Sequence, residues 1–455
     1  MSATGEGGRY LIRGGTVLTM DPKLGSLVGD VLVEGGKITE VGVDLRPPEG
    51  AVLIDATNCA VLPGLIDTHR HLWSAAVRQT GVGWDYGAYH MTVQRRWGEQ
   101  FTADDVYWSQ LLGALSALNA GVTTICDESH IQNSPAHTDA AVKALQESGV
   151  RARFGYGFPS VNVASWMFGP THTIPEDIRR VRTELLPDDD ALVTLQAMLR
   201  GPEMTGLDVA TKDLEIARDL GLRSTMHIGF GMAPGIEQLS DAGLLDSDLL
   251  LIHGGKSTDE ELRMGVAAGA SFSISPGTEA FMPGLGIPAT SRVLSVGGEP
   301  SMSADTEVAS SADLFSTLRA AMATDITVRN ALPEYYGALP EVTPDQLLLS
   351  ATLWGAHACG LGDKVGSLVP GKAADIIMVR LDDLTMFPGS DAVRSLIAAA
   401  TAGSVDTVMV DGNLVKQDGK VLGTGFERLK PRILELMDRL QPRPGSGPVD
   451  TPFSV

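Results

Sequence analysis

Leu62-Pro63-Gly64-Leu65-Ile66-Asp67-Thr68-His69-Arg70-His71 is the stretch whose reading decides the fold of this chain. An apolar run follows a Pro-Gly pair and ends in two histidines one residue apart, the pattern of a buried strand with chemistry at its far end. Side chains at i and i+2 of a strand share a face, so His69 and His71 can address one ion while Arg70 points away. A proline just before a strand costs no central ladder bond. His-x-His alone is a weak sign. Its weight depends on what stands at the ends of the strands downstream.

Outward from that stretch the text alternates. Strand patterns recur at 62–67, 123–126, 151–156, 192–198, 223–227, 249–253, 271–275 and 300–304, and helical runs such as 103–119, 139–148, 209–220 and 259–268 lie between them. Eight β/α repeats predict a (β/α)8 TIM barrel, whose functional groups gather at the C-terminal ends of its strands. An open doubly wound sheet is the rival, and no Gly-rich dinucleotide fingerprint follows the first strand to support it.

The two ends of the chain read differently. Residues 10–61 hold short runs rich in β-branched residues, with Gly14-Gly15 and Gly35-Gly36 read as turns. Similar text returns at 374–380 and 405–419, where Asp411-Gly412 is a strong hairpin signal. The expected fold class is therefore α/β: a (β/α)8 barrel over 62–363 with a small composite β-sandwich domain built from both chain ends, 1–61 and 364–425. Residues 426–455 form a C-terminal helix and tail, the helix interrupted by Pro431 and the tail rich in Pro and Gly.

Composition narrows the function. A net charge of −21 over 455 residues argues against nucleic acid or an anionic membrane as a partner. No apolar run reaches the length of a membrane span, and the N-terminus shows no basic region followed by an apolar run. The three cysteines are widely spaced and give neither a disulfide framework nor a Cys-type zinc site. A cytoplasmic protein acting on a small molecule is expected.

At the predicted strand ends stand His69 and His71, then Asp127-Glu128-Ser129-His130, Arg200-Gly-Pro-Glu203, His227, His253, Ser275-Pro-Gly-Thr-Glu279 and Asp305. His69, His71, His227, His253 and Asp305 are the residue types that bind a borderline metal, all at one end of one barrel.

On these residues the chain resembles the amidohydrolase superfamily, the metal-dependent hydrolases related to cytosine deaminase and the triazine hydrolases. The resemblance also takes in Val365-Gly-Ser-Leu-Val-Pro-Gly-Lys-Ala-Ala-Asp-Ile, which leads back into the small sheet. It implies that His69, His71, His227 and Asp305 bind one divalent metal ion per chain, zinc first and iron or manganese as alternatives. It implies that His253 lies beside the metal and contacts the group under attack, and that the protein is a homo-oligomer, a dimer or a tetramer. Binuclear relatives carry a modified lysine at the end of strand four. Here that stretch is Leu195-Gln-Ala-Met-Leu-Arg-Gly, so one ion is expected. Deaminases carry a glutamate three residues after the strand-five histidine, and here that residue is Phe230, which moves no proton. Glu279, Glu128 and His130 are the candidate substitutes.

The chemistry follows. A metal held by three neutral imidazoles and a carboxylate lowers the pKa of a bound water to about 7. Asp305 takes the proton and later passes it to the leaving group, and His253 stabilises the developing oxyanion, with Glu279 as a third catalytic candidate. The expected activity is hydrolysis of a C–N bond in an amide, urea, carbamate or cyclic amide. The alternative is an aminohydrolase or dechlorinase acting on a nitrogen heterocycle. A non-catalytic metal- or ligand-binding protein and a lyase are the remaining readings. Trp73, Trp84, Glu128, His130 and Phe230 are the candidate substrate contacts, with Tyr86, Tyr89, Trp166, Met167, Phe168, Phe281 and Met282 as further loop residues suited to an apolar, planar molecule.

Overall fold

The computed structural model describes residues 8–440, apart from 168 and 424. Five strands open the chain: β1 (Arg9–Leu18), β2 (Ser26–Glu34), β3 (Lys37–Gly42), β4 (Val52–Asp55) and β5 (Cys59–Pro63). Eight follow in the middle: β6 (Leu65–Arg70), β7 (Val122–Ser129), β8 (Arg151–Tyr156), β9 (Val193–Leu199), β10 (Ser224–Ile228), β11 (Leu249–His253), β12 (Ser271–Ile274) and β13 (Pro300–Met302). Four more come after them: β14 (Ile376–Arg380), β15 (Val405–Val410), β16 (Asn413–Gln417) and β17 (Lys420–Val421).

The strands from β6 to β13 pair in sequence order, all parallel, as one eight-stranded sheet. The seam between β13 and β6 is bridged just past β13, where the Asp305 amide donates to the His69 carbonyl at 2.9 Å and the His71 amide donates to the Asp305 carbonyl at 2.8 Å. The residue that closes the barrel is thus a residue of the site. Every position of β6 and β7 is buried, as in a sheet covered on both sides.

The chain ends build one nine-stranded mixed sheet in the order β17-β16-β15-β14-β5-β1-β2-β3, with β4 beside β1. Alternation decides what each face packs on. Cys59 and Val61 of β5, with Ile376 and Met378 of β14, join Val31, Val33 and Ile38 in a core belonging to this sheet. Ala60 and Leu62, with Ile377 and Val379, face the barrel core instead. Arg151, at the start of β8, fastens the two bodies by pairing with Asp375 at 2.9 Å and Asp411 at 3.0 Å.

Two local expectations are corrected. Gly14-Gly15 does not end a strand. The pair sits inside β1 at a register shift between Ile12 and Gly15, and Gly14 has φ +76°, so the glycines make a bulge rather than a turn. Pro431 does not interrupt the last helix, which runs unbroken from Phe426 to Leu440. The carbonyl that loses its helical donor is that of Glu427, an exposed residue whose oxygen water can satisfy. Leu429, Leu436 and Leu440 of this helix are buried, and Leu429 packs on Leu111 of the helix Ala103–Asn119. The tail after residue 440 and Phe168 lie outside the described residues. Asp411-Gly412 is the hairpin turn expected, with φ +50° and +75° between β15 and β16.

Candidate metal centre and active site

The register of β6 slips near its end. Asp67 pairs with Ile125 and Arg70 with Asp127, three steps on one strand against two on the other. The extra residue lets Thr68 and His69 both serve the barrel interior. Thr68 bonds to the hydroxyls of Ser273 and Ser301, while His69 turns to His71, a candidate ligand. Arg70 points away, where it pairs with Asp67 at 3.3 Å and with Glu307 at 2.5 Å.

The residues expected at the strand ends converge. The ring of His69 lies 4.8 Å from those of His71 and His227. Ligand atoms of His69, His71 and His227 all fall within 4.8 Å of one another, as do those of His69, His253 and Asp305. Asp305 Oδ1 is 3.3 Å from His69 Nε2 and 3.5 Å from His71 Nε2. His71 donates Nδ1–H to the Glu128 carbonyl at 2.8 Å, which leaves Nε2 for the centre. His69 is fully buried, yet neither ring nitrogen completes a hydrogen bond among the described residues. Buried imidazole nitrogens without partners, facing a carboxylate, are a donor set for a divalent cation.

Electrostatics agree with that reading. Burial, reinforced by neighbouring His69, holds His71 down at about 4, and burial with the surrounding histidines holds His227 well below the usual range. Both rings are neutral and able to ligate. Burial opposes charge on Asp305, but the close approach and charge of His69, with the charges of His253 and His71, outweigh it and hold the carboxyl at about 2. Burial likewise opposes charge on His69, and Asp305 with Glu128 overcome it, pushing that ring up to about 10. A buried ring caught between two carboxylates stands where a cation would be stabilised.

His253 donates Nδ1–H to Glu279 Oε1 at 2.9 Å, and its Nε2 lies 3.9 Å from Asp305 Oδ2. The same Glu279 oxygen accepts the Ser275 amide. Two of the nine non-glycine residues with positive φ among the described residues are His253, at +73°, and Asp305, at +58°. Strained backbone of this kind persists where surrounding structure holds it, commonly at functional sites.

The pocket above the centre is an open cleft of about 480 Å³, the space open to solvent included. Met167, Met198, Met204 and Met282 line it, with Phe158, Tyr86, Tyr89 and Leu285, and its polar members include Gln94, His130, Thr306 and Arg200. Arg200 is matched by Asp213 at 2.7 Å and by the Trp166 and His172 carbonyls at 3.0 Å each. Phe230 adjoins the pocket, its ring 5.3 Å from Tyr86, 6.2 Å from His227 and 6.0 Å from His253.

Several candidate contacts stand elsewhere. Trp73 is fully buried against Phe101 and His130, behind the pocket, because the chain turns into the helical segment Leu72–Val77 directly after His71. Trp84 packs on Trp97. Phe281 is 55% exposed and faces solvent. Glu128 lies behind His69, its Oε1 3.9 Å from Nδ1, not in the pocket wall. Glu279 stands behind His253 as its hydrogen-bond acceptor, also outside the pocket lining. His130 is at the pocket, with Gln94 Nε2 3.2 Å from its Nε2.

Sequence reasoning missed Gln94, which sits in the helical segment His90–Trp97 with nothing local to single it out, and Phe158 and Met204, which reach the pocket from the loop after β8 and from the short helix Pro202–Thr205. It passed over Glu203 as one polar residue among several. That carboxylate accepts the amides of Gly229, Phe230 (3.1 Å) and Met232 (3.2 Å), and so holds the loop that carries Phe230.

Residues 60–415 match the model of the amidohydrolase family. The chain belongs to that family. As an amidohydrolase it is a metal-dependent hydrolase of carbon–nitrogen bonds. A 5-methylthioadenosine/S-adenosylhomocysteine deaminase of Pyrococcus abyssi is 27% identical over 445 residues, covering 94% of this amidohydrolase and 98% of that protein. A 5'-deoxyadenosine deaminase of Methanosarcina mazei is 28% identical over 430 residues, 90% of this chain and 94% of the other. Two solved structures share the fold. An adenosine deaminase from Xanthomonas campestris with bound zinc gives a TM-score of 0.81 at 21% identity, over 95% of this chain and 98% of that one. An atrazine chlorohydrolase from Arthrobacter aurescens, complexed with zinc, gives 0.82 at 22%, over 94% and 100%.

Proposed function

We propose that this amidohydrolase hydrolyses a C–N bond in a neutral, planar, cyclic amide, urea or related carbonyl compound, using one zinc ion per chain. The observation that carries the proposal is Phe230. An apolar ring stacks beside His227 where a glutamate would protonate the ring nitrogen of an aminoheterocycle, so the substrate's carbon must be electrophilic already. The methionine-rich wall and the matched Arg200 favour an uncharged ligand.

His69, His71, His227 and Asp305 would hold the ion. Bound there, a divalent metal makes water acidic enough to serve as nucleophile at neutral pH and polarises the carbonyl. The protein's own groups do the rest. Asp305 accepts the proton lost by the attacking water and returns it to the leaving nitrogen. His253, fixed in one tautomer by Glu279, turns Nε2 toward the same space and stabilises the oxygen that gains charge when it carries a proton. Glu279 is a positioning residue, since His253 stands between it and the pocket.

Zinc-loaded enzyme should be screened against cyclic amides, cyclic ureas and imides beside heterocyclic amines, with ammonia and ring-opened product measured separately. Ring opening without ammonia supports the proposal. Stoichiometric ammonia from a heterocyclic amine, with cyclic amides inert, would overturn it in favour of a deaminase, the reading that the names of the Pyrococcus and Methanosarcina relatives favour. Among the described residues no helix is long and apolar enough to cross a membrane. A cytoplasmic homo-oligomer of two or four chains belongs to the same proposal, and sedimentation of the purified protein tests the assembly.

A further inference from the structure

Glu128 is a buried carboxylate that the chemistry above leaves unused. It is fully buried, and neither of its oxygens has a hydrogen-bond partner among the described residues. Its neighbours are matched. Asp67 and Glu307 pair with Arg70, Asp127 accepts the Leu72 amide and the Gln110 side chain, and Glu279 accepts from His253. Leaving a carboxylate buried without donors is costly, so a positive charge nearby must offset it.

Geometry indicates where that charge belongs. β7 alternates, so Asp127 turns to Gln110 on the covering helix Ala103–Asn119 and Glu128 turns into the barrel. There its Oε1 faces His69 Nδ1 at 3.9 Å, while His69 Nε2 faces Asp305 at 3.3 Å. The backbone carbonyl of the same residue accepts His71 Nδ1–H at 2.8 Å. One residue thus stands behind both histidines of the pair. Three neutral imidazoles and Asp305 contribute a single negative charge to a divalent ion. Glu128 supplies the second and brings the buried centre to neutrality.

We propose that Glu128 is a positioning residue of the metal site: its carboxylate, facing Nδ1 of His69 at 3.9 Å, orients that ring with Nε2 toward the ion and balances the ion's second charge. The inference rests on the reading of His69, His71, His227 and Asp305 as ligands, and it assigns Glu128 no contact with substrate.

The test is zinc affinity of the full-length protein, stripped of metal and titrated against a chromophoric chelator, for wild type, Glu128→Gln and Glu128→Asp. Glu128→Gln should bind zinc about 10- to 100-fold more weakly. Its metal-free melting temperature should stay close to that of wild type, because Asp305 still faces His69. Glu128→Asp should fall between the two in affinity. At saturating zinc the KM of Glu128→Gln should be unchanged. Zinc affinity within twofold of wild type in either variant would overturn the inference, as would a Glu128→Gln chain that unfolds without metal while Glu128→Asp binds zinc normally. A wild type that binds no zinc would overturn the ligand assignment itself, a different outcome from a wild type that binds normally beside unaffected variants.

Discussion

The floor of the pocket and its wall follow opposite rules. The floor is polar and strained: among the described residues the two buried nitrogens of His69 and the two oxygens of Glu128 behind it have no hydrogen-bond partner, and His253 and Asp305 hold positive φ. The wall is mostly apolar, built chiefly of methionines and aromatics, with Arg200 matched by Asp213. Unsatisfied polar atoms mark where, on the proposed function, an ion and a proton would be handled. Adaptable thioethers and rings mark where a molecule is only held. The lesson is that reaction class is written in the floor and substrate choice in the wall, so variants of each should fail in different ways.

The largest effect belongs to the floor. Asp305→Asn should lower kcat/KM on the order of 10³- to 10⁴-fold in steady-state assays. A loss of less than tenfold, with metal retained, would place proton transfer elsewhere. Trp73 tests where the wall ends. Emptying a fully buried indole should cost about 3–5 kcal/mol in denaturant unfolding, with KM little changed. A large rise in KM at constant stability would return Trp73 to the wall. Glu279→Gln should lower kcat about 10- to 100-fold with KM unchanged, because the His253 tautomer is no longer fixed. If KM rises in step, Glu279 touches substrate after all. The smallest effect is Phe230→Ala, which should raise KM about tenfold, equal to about 1.4 kcal/mol, at near-constant kcat. An unchanged KM would remove Phe230 from the wall.

How far the sequence foretold these regions differs with the range of the signal. β8 and β11 fall where alternation and flanking turns placed them, because an apolar run between helical texts is a local pattern. Asp411-Gly412 was legible for the same reason: the turn type is decided by two residues. Gly14-Gly15 was not, since the dipeptide that makes a hairpin turn also makes a bulge, and only pairing with β2 tells them apart. In the site, the candidate ligand types at or just past the ends of β6, β10 and β13 were legible one by one. The places of Trp73 and Glu128 were not, because each depends on which way the backbone leaves a strand.

By itself the sequence determined the order of the barrel strands, the residue types suited to a metal at their ends, and the apolar phenylalanine at 230, all matters of residue identity and short period. The tertiary structure alone decided that β6 slips one register step, that Glu128 stands behind His69 and Glu279 behind His253, and that the wall is assembled from loops far apart in the chain. The physical reason is that hydrogen-bond periodicity acts over a few residues, whereas a buried charge finds its partner only once the barrel has closed.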